Sequence, residues 1–253
     1  MARRIIIVRL PHIINRLPSN LRFVSAAGAE TTATTLYWWA LAMVAYPEVQ
    51  KRAQAELDSA VGRSRVPTFS DAANLPYIQA IVKEVLRWRP ALPLGLPHTS
   101  SEDDWYNGMF IPKGTLVLPN LWSCNHESSS YGDDAKSFRP ERFLDANSKA
   151  IPGPAETREE GHGTFGFGRR ACVGKHLANE ALFIDIATVL WAANFERALD
   201  QDGKEVLIDT ESFVDTGMVL YAYRHDNLTQ ASVLTRTLQP ASPIRMQDYP
   251  SIS

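Results

Sequence analysis

The stretch Phe165-Gly166-Phe167-Gly168-Arg169-Arg170-Ala171-Cys172-Val173-Gly174 decides how the rest of the chain is interpreted. Its glycines allow backbone conformations that are closed to other residues, so the chain can turn tightly beside a flat cofactor. Cys172 stands where a long helix is predicted to begin, and the free amides and dipole of a helix N-terminus favour thiolate over thiol. An anionic sulfur among backbone donors suits an iron ligand, and Arg170 can pair with an anionic group of the same cofactor. An isolated cysteine is more often a buried structural thiol, so the surrounding pattern F-x-x-G-x-R-x-C-x-G carries the argument.

The composition is that of an ordinary globular protein. A length of 253 residues allows one or two domains and a sizeable core. Lys and Arg total 26 and Asp and Glu total 28, so the net charge of -2 lacks the basic surplus of nucleic-acid-binding proteins. The 2 cysteines are too few for a disulfide scaffold. No apolar run approaches the ~18 residues of a membrane span. We therefore expect neither a secreted mini-protein nor a polytopic membrane protein, and no nucleic-acid partner.

Apolar periodicity, prolines and glycines predict a chain rich in helices. Long helices are expected at Leu21–Tyr46, which is apolar on most sides, and at Pro47–Val61, which opens on a first-turn proline and is closed by a glycine. A third is expected at Asn74–Trp88 and a last one from Cys172 to about Phe195, each with an apolar stripe at helical spacing. Asn107-Gly108 between two short apolar runs predicts a β-hairpin.

A polar segment, Ala27-Gly28-Ala29-Glu30-Thr31-Thr32, lies inside the first predicted helix. A mid-helix threonine can donate its hydroxyl to the carbonyl four residues earlier, which for Thr31 is that of Ala27. This bond competes with the helix ladder, and Gly28 makes local opening easier, so the turn can hold water or dioxygen. Glu30 beside it can relay protons. The alternative is a helix interior that contains polar residues without a catalytic role.

Three further features are unspecific on their own. Glu84-Val85-Leu86-Arg87 places a carboxylate and a guanidinium on one helix face, a spacing that usually gives a solvated surface pair worth little. A lone histidine such as His98 is more often a surface or core residue than part of a site. Phe138-Arg139-Pro140-Glu141-Arg142-Phe143 adds a second charged segment before the cysteine stretch.

Taken in order, these segments resemble the motifs of the cytochrome P450 family from about Leu21 to about Met218, and Phe165–Gly174 matches that family's haem-binding loop without a departure. The resemblance implies a mainly α fold with small β-sheets (α+β), the C-terminal part of the cytochrome P450 fold. It implies haem b (iron protoporphyrin IX) as the cofactor. It also makes Cys172 the axial thiolate ligand of the iron, the ligand that this family uses.

The same resemblance assigns the other cofactor-binding residues. Arg170 contacts a haem propionate, and Phe165 packs beside the sulfur. Gly168 and Gly174 complete the loop. In this family the position of His98 often supplies a basic group to a propionate, so His98 is carried over as a further haem contact.

Two catalytic residues and a structural network follow from the resemblance as well. Thr31 becomes the hydroxyl near bound dioxygen, and Glu30 becomes its acidic partner. Glu84, Arg87 and Arg142 form a buried three-member network that positions the segment before the haem loop. This network is structural and not catalytic.

The function implied is that of a haem-thiolate monooxygenase, which inserts one oxygen atom of O2 into a small apolar organic substrate. Electrons come from an NADPH-dependent reductase partner. Family chains are much longer than this one, so a truncated, non-catalytic fragment with weak or no haem binding is the alternative. A scaffold role for the helices is a third interpretation, which no motif supports specifically.

The domain boundaries follow the extent of the resemblance. We expect a non-matching N-terminal segment at 1–20, the haem-binding part at 21–226 and a disordered tail at 227–253. The first 29 residues hold five arginines and no acid, which is typical of a transit peptide or of a non-native start. Family members of eukaryotic type usually lie at the endoplasmic reticulum membrane, held by an N-terminal helix that this sequence lacks, so localisation stays open.

Overall fold

A computed structural model of the chain describes residues 19–154, 157, 159–200, 202–206, 208, 210, 213–215, 220–222 and 232–236. These residues form a helix-rich body with four two-stranded sheets, so the fold class predicted from the sequence is confirmed. Within this described part, no helix is long and apolar enough to cross a membrane. Of the predicted N-terminal segment 1–20, only Ser19 and Asn20 are described, and they already belong to the first helix.

The first two helices meet at a proline, as the sequence predicts. Helix α1 spans Ser19–Ala45 and helix α2 spans Pro47–Ala60. Pro47 takes the first helical position of α2, where a missing N–H leaves no bond unmade. Gly62 closes α2 with a φ of +76°, and its N–H donates to the Leu57 carbonyl at 3.1 Å. A left-handed glycine satisfying a late carbonyl is a common helix ending.

Helix α3 spans Pro76–Trp88 and begins two residues later than the sequence analysis expects. Asn74 instead ends a 3-10 helix at Phe69–Asn74. Pro76 again takes the first helical position, and Glu56 of α2 accepts hydrogen bonds from backbone amides of the first turn at 2.8 and 3.1 Å. A carboxylate from another element therefore caps α3, and local sequence does not encode such a cap.

The predicted hairpin is present. Strands β2 (Asp104–Tyr106) and β3 (Met109–Ile111) pair antiparallel around Asn107 and Gly108. Both turn residues have positive φ, +47° and +79°, which is the geometry of the two-residue turn that suits the twist of paired strands. Nearby, β1 (His98–Thr99) pairs with β4 (Leu116–Val117).

Irregular backbone fills most of the region between β4 and the cysteine segment. It is interrupted by the short helices α4 (Leu121–Asn125) and α5 (Ser128–Tyr131) and by a 3-10 turn at Pro140–Phe143. Few of its backbone groups can bond within such short elements. Side chains from the helices must therefore satisfy many of them.

The last long helix is shorter than predicted at both ends. Helix α6 spans Lys175–Ala192, and the chain then enters strand β5 at Ala193–Glu196. Strand β5 pairs with β8 (Ser232–Thr235), which falls inside the segment predicted as a disordered tail. The expectation is wrong for these four residues, because their partner is distant in sequence and gives no local signal. Between β5 and β8 in the sequence, strand β6 (Phe213–Asp215) pairs with β7 (Leu220–Ala222).

The core lies where α6 packs against α1, α2 and α3. Trp88 at the end of α3 makes edge-to-face contacts with Trp38 and Phe138, at ring-centroid distances of 6.1 and 5.4 Å. Offset aromatic pairs of this kind add to the stabilisation from burial. The same core receives Leu182, Ile186 and Leu190 from α6.

Replacing Leu190 by Ala should lower the free energy of unfolding by about 2–5 kcal/mol, because Leu190 is fully buried and its loss leaves a cavity. Urea denaturation followed by circular dichroism measures this. Leu199→Ala is the matched control, since that side chain is exposed and should change stability by less than about 0.5 kcal/mol. Equal effects of the two substitutions would contradict the placement of the core.

Candidate active site

The cysteine segment is a tight loop closed by one backbone hydrogen bond. The Cys172 N–H donates to the Phe165 carbonyl at 2.8 Å, and the Gly166 N–H donates to the Gly163 carbonyl at 2.8 Å. Gly166 and Gly168 have φ of +70° and +63°, and a Cβ at either position would meet no atom within 4 Å. Conformation, not space, therefore requires glycine at both bends.

Cys172 lies before the helix and not at its first residue. Helix α6 begins at Lys175, so the sequence prediction that Cys172 opens the helix is wrong by three residues. Gly174 precedes the helix, and the Cys172 carbonyl accepts a hydrogen bond from the Lys175 N–H at 3.4 Å. The loop itself holds the sulfur, since dipole effects weaken beyond the first turn of a helix.

The sulfur is accessible and has apolar neighbours along the chain. Cys172 is exposed, Val173 is 93% exposed and Leu177 is 76% exposed. Arg170 is exposed on the other side of the cysteine, at the end of a short 3-10 turn. A Cβ at Gly174 would lie 4.0 Å from the sulfur, so glycine leaves that flank bare. Phe165 is half-buried, and its ring packs against the core beneath the loop.

Residues 27–30 of α1 are exposed and Thr31 and Thr32 are half-buried, whereas Trp38 and Trp39 further along the helix are buried. Thr31 Oγ1 donates to the Ala27 carbonyl at 2.7 Å, as the spacing predicts, and Thr32 Oγ1 donates to the Gly28 carbonyl at 2.8 Å. Glu30 is exposed on the same turn. The helix stays continuous through this segment, so the local opening expected from these bonds does not occur.

His98 lies in an exposed strand pair, apart from the cysteine loop in sequence. It is the first residue of β1 and is opposite Val117 of β4. Leu116, Val117 and Leu118 beside it are also exposed. Among the described residues, no hydrogen bond or ion pair joins His98 to the cysteine loop.

The structure brings Glu84, Arg87 and Arg142 together out of solvent. Arg87 Nε donates to Glu84 Oε2 at 2.7 Å, and Arg87 Nη2 donates to Glu84 Oε1 at 2.8 Å. Arg142 Nε donates to the same Oε1 at 3.1 Å, and the Arg139 N–H adds a further bond at 2.7 Å. The side chains of Glu84 and Arg87 are 0% exposed, so this is not the solvated surface pair that the spacing alone suggests.

Arg87 and Arg142 also donate hydrogen bonds to backbone carbonyls of the irregular region. Arg87 donates to the carbonyls of Asn125, Ala135 and Ser137 at 2.7, 2.7 and 3.1 Å. Arg142 donates to the carbonyl of Tyr131 at 2.7 Å. A guanidinium presents five donors in a rigid plane, so it can satisfy a carboxylate and several carbonyls at once.

The family model for cytochrome P450 matches residues 20–223 of this chain. The chain belongs to the cytochrome P450 family. A cytochrome P450 monooxygenase of Armillaria gallica is 57% identical over 194 residues, which cover 77% of this chain and 37% of that protein. Cytochrome P450 monooxygenase 58 of Postia placenta is 55% identical over 193 residues, which cover 76% of this chain and 36% of that protein. The chain thus spans little more than a third of the length of these relatives.

Solved cytochrome P450 structures share the fold. A zebra fish cytochrome P450 solved with abiraterone superposes with a TM-score of 0.70 at 34% identity, covering 85% of this chain and 47% of that one. A second zebra fish structure, with progesterone, gives 0.69 over the same share of this chain. The predicted membership of the family is therefore confirmed, and so is the prediction that the chain corresponds to part of the P450 fold.

The cytochrome P450 family uses haem, and the residues around Cys172 fit that group. Val173 and Leu177 are large apolar side chains in water, which is typical of a surface that binds an apolar ligand or partner. The exposed Arg169 and Arg170 provide charge for carboxylates. An apolar plate with a metal centre and carboxylate arms matches a sulfur, arginines and Val173 in one loop, with Leu177 in the first turn of the helix that follows.

The sequence analysis missed three residues that hydrogen-bond in series next to the cysteine loop. Asn125 and Thr164 hydrogen-bond one another at 2.9 Å, and the Thr164 N–H donates to Nδ1 of the buried His162 at 3.2 Å. Asn125 comes from a short helix of no marked pattern. The other two lie in a glycine-rich and charged run that is typical of surface loops, so only their place just before the loop could have marked them.

Replacing Glu84 by Gln should lower the free energy of unfolding by about 3–5 kcal/mol, because the buried Arg87 and Arg142 lose the charge that compensates them. Glu205→Gln is the matched control, since the Glu205–Arg197 pair is exposed at 63% and 35% and contributes about 1 kcal/mol or less. Urea unfolding of both variants measures the difference. A Glu84→Gln variant as stable as the control would contradict the buried network.

Acid should destabilise the protein through His162. Burial lowers the pKa of His162 to about 3, with Lys83 and Arg87 acting in the same direction and Glu160 opposing them. The unfolded chain has an ordinary histidine pKa of about 6.5 and takes up a proton that the folded chain excludes. The stability that the neutral His162 contributes to the folded chain is complete above pH ~6.5. It is lost as the pH falls through that value toward 3. Between pH 7.5 and 5.5 the loss should be about 1.4 kcal/mol.

The comparison of the wild type with His162→Gln isolates this contribution, because carboxylates titrate equally in both. Urea midpoints at the two pH values give the free energies. Wild type should lose more stability than the variant on acidification. Parallel losses would mean that His162 titrates in the folded chain as it does in water.

Proposed function

We propose that this chain is the haem-binding part of a haem-thiolate monooxygenase and that Cys172 is the axial ligand of haem b. The observation that carries the proposal is the exposed sulfur in a loop closed by the Phe165–Cys172 bond, followed by exposed apolar side chains. Membership of the cytochrome P450 family supports it. Because the chain spans about a third of its curated relatives, monooxygenase activity is proposed for the protein as a whole.

In this proposal the loop residues hold the haem from the sulfur side. Cys172 supplies the thiolate, and the half-buried Phe165 packs between the loop and the core. Gly168 permits the bend, and Gly174 leaves room at the flank of the sulfur. The exposed guanidinium of Arg170 pairs with a propionate.

His98 is proposed as a second propionate contact. It stands on an exposed strand whose partner strand presents apolar side chains, so a basic group and an apolar surface occur together there. This combination suits the edge of a haem, where an apolar ring carries charged arms.

Bound haem supplies an iron that reacts with O2, and thiolate ligation favours cleavage of the O–O bond. The hydroxyl of Thr31 donates to the Ala27 carbonyl, so its oxygen can accept a hydrogen bond from a water molecule nearby. Glu30 is exposed on the same turn, where its carboxyl can take a proton from solvent and pass it to water beside Thr31 Oγ1. A small apolar organic substrate, O2 and an NADPH-dependent reductase are the partners proposed for the whole protein.

The exposed apolar surface favours a second candidate. Trp105, Phe110 and Leu116 are at least half exposed, in addition to the residues after Cys172. A haem bound at so open a surface is less well enclosed, and enclosure contributes much of the affinity for an apolar ligand. The second candidate is therefore a chain of the same family that binds haem weakly or not at all and does not catalyse.

A carbon monoxide difference spectrum of the full chain, reconstituted with haem and reduced, tests the proposal. We expect a Soret band at the position typical of thiolate ligation, and Cys172→Ala should abolish it. Cys124→Ala is the matched control, since this second exposed cysteine lies on α4 and should leave the band unchanged. A band that survives Cys172→Ala would exclude Cys172 as the ligand. No haem binding would favour the second candidate.

A further inference from the structure

We infer that Asn125 and Thr164 are positioning residues, which fix the cysteine loop to the Glu84–Arg87–Arg142 cluster. The inference rests on the proposed function for its chemical meaning, because the loop is the proposed haem ligand. Its structural content rests on the hydrogen bonds of the described residues alone.

Asn125 forms hydrogen bonds both with the Glu84–Arg87–Arg142 cluster and with the start of the cysteine loop. It is 0% exposed, and its backbone carbonyl accepts a hydrogen bond from Arg87 Nη1 at 2.7 Å. Its side-chain oxygen accepts the Gly163 N–H at 2.8 Å, and its side-chain nitrogen donates to Thr164 Oγ1 at 2.9 Å. One residue therefore joins the buried guanidinium to two successive residues at the start of the cysteine loop.

Thr164 attaches the same point of the loop to helix α3. Its hydroxyl donates to the Leu86 carbonyl at 2.7 Å, and Leu86 lies between Glu84 and Arg87. The next residue is Phe165, whose carbonyl accepts the Cys172 N–H. Only one peptide unit therefore separates the fixed Thr164 from the bond that closes the loop around the sulfur.

The chemistry of the two side chains explains why these residue types stand here. An amide offers an acceptor and a donor at once, and the Gly163 N–H and Thr164 hydroxyl use one of each. The threonine hydroxyl in turn accepts from Asn125 and donates to Leu86. Filling this space with apolar groups would leave a buried carbonyl and a buried N–H without their bonds, at a cost in free energy.

Amide hydrogen exchange of the haem-free full chain tests the inference. Thr164→Val removes only the hydroxyl and keeps the shape, so the Gly166 and Cys172 amides should exchange about tenfold faster while the amides of α2 keep their rates. Thr164→Ser retains the hydroxyl and should restore exchange to within about twofold of wild type. Thr34→Val is the matched control, because Thr34 is buried and its Oγ1 has no partner among the described residues.

A second pair of variants keeps the test decisive if Thr164→Val does not fold. Asn125→Ala removes both side-chain bonds and should raise exchange in the loop at least as much. Asn194 lies on strand β5, away from the loop, and its side chain accepts one hydrogen bond from Gln54 of α2. Asn194→Ala removes that bond and should leave the exchange rates of the loop amides unchanged. Equal acceleration of all amides, or a serine variant that behaves like the valine variant, would overturn the inference.

A spectroscopic readout separates this inference from the proposed function. In chains reconstituted with haem, Thr164→Val should shift part of the carbon monoxide complex from the thiolate Soret position toward that of a protonated or lost thiolate, and Thr164→Ser should not. If no variant binds haem, the proposed function fails, while the exchange rates of the haem-free chain still decide whether Asn125 and Thr164 hold the loop.

Discussion

The pairing of the buried Glu84 carboxylate with Arg87 and Arg142 is the interaction on which the cysteine loop and the segment before it depend. A carboxylate at 0% exposure is very costly unless it is paired and hydrogen-bonded, and here two guanidinium groups and one backbone amide meet it. Once neutralised in this way, the two arginines have donors left over. They use them on carbonyls of the irregular region between residues 125 and 137, which has little secondary structure of its own.

This arrangement explains how the loop that carries the exposed Cys172 is attached to the rest of the fold. The cluster fixes Asn125, Asn125 and Leu86 fix Thr164, and the loop around Cys172 closes one residue later. Each step uses a buried donor or acceptor whose alternative is an unpaired group, so the chain of contacts favours one geometry. The sulfur is exposed while hydrogen bonds hold the backbone that carries it.

Much of the fold could be predicted from the sequence because prolines and glycines mark the helix ends. Pro47 and Gly62 bound α2, and Asn107-Gly108 makes the hairpin turn. The prediction failed where the deciding contact is distant. Glu56 caps α3 from another helix, and Ser232–Thr235 becomes a strand only because β5 is beside it.

In the candidate site, too, a local pattern marks some residues and distant contacts place the others. The cysteine loop has a dense local pattern, and so its residues could be named from the sequence. Asn125 could not, since an asparagine in an unmarked segment gains its role from what folds against it. The helix expected to begin at Cys172 begins after Gly174 instead, and the Cys172 N–H closes the loop on the Phe165 carbonyl.

The span of the Glu84 cluster has a consequence for synthesis on the ribosome. Glu84 and Arg87 are three residues apart and can pair as soon as α3 forms, but Arg142 follows 58 residues after Glu84. At about 5–20 residues per second, the helix waits roughly 3–12 s for its second arginine. During that interval the Glu84 carboxylate is paired with Arg87 but lacks the Arg142 and Arg139 donors of the finished fold, so water must fill those positions. Burial of this face of α3 before Arg139 and Arg142 are made would leave those acceptor positions unpaired, at a cost in free energy.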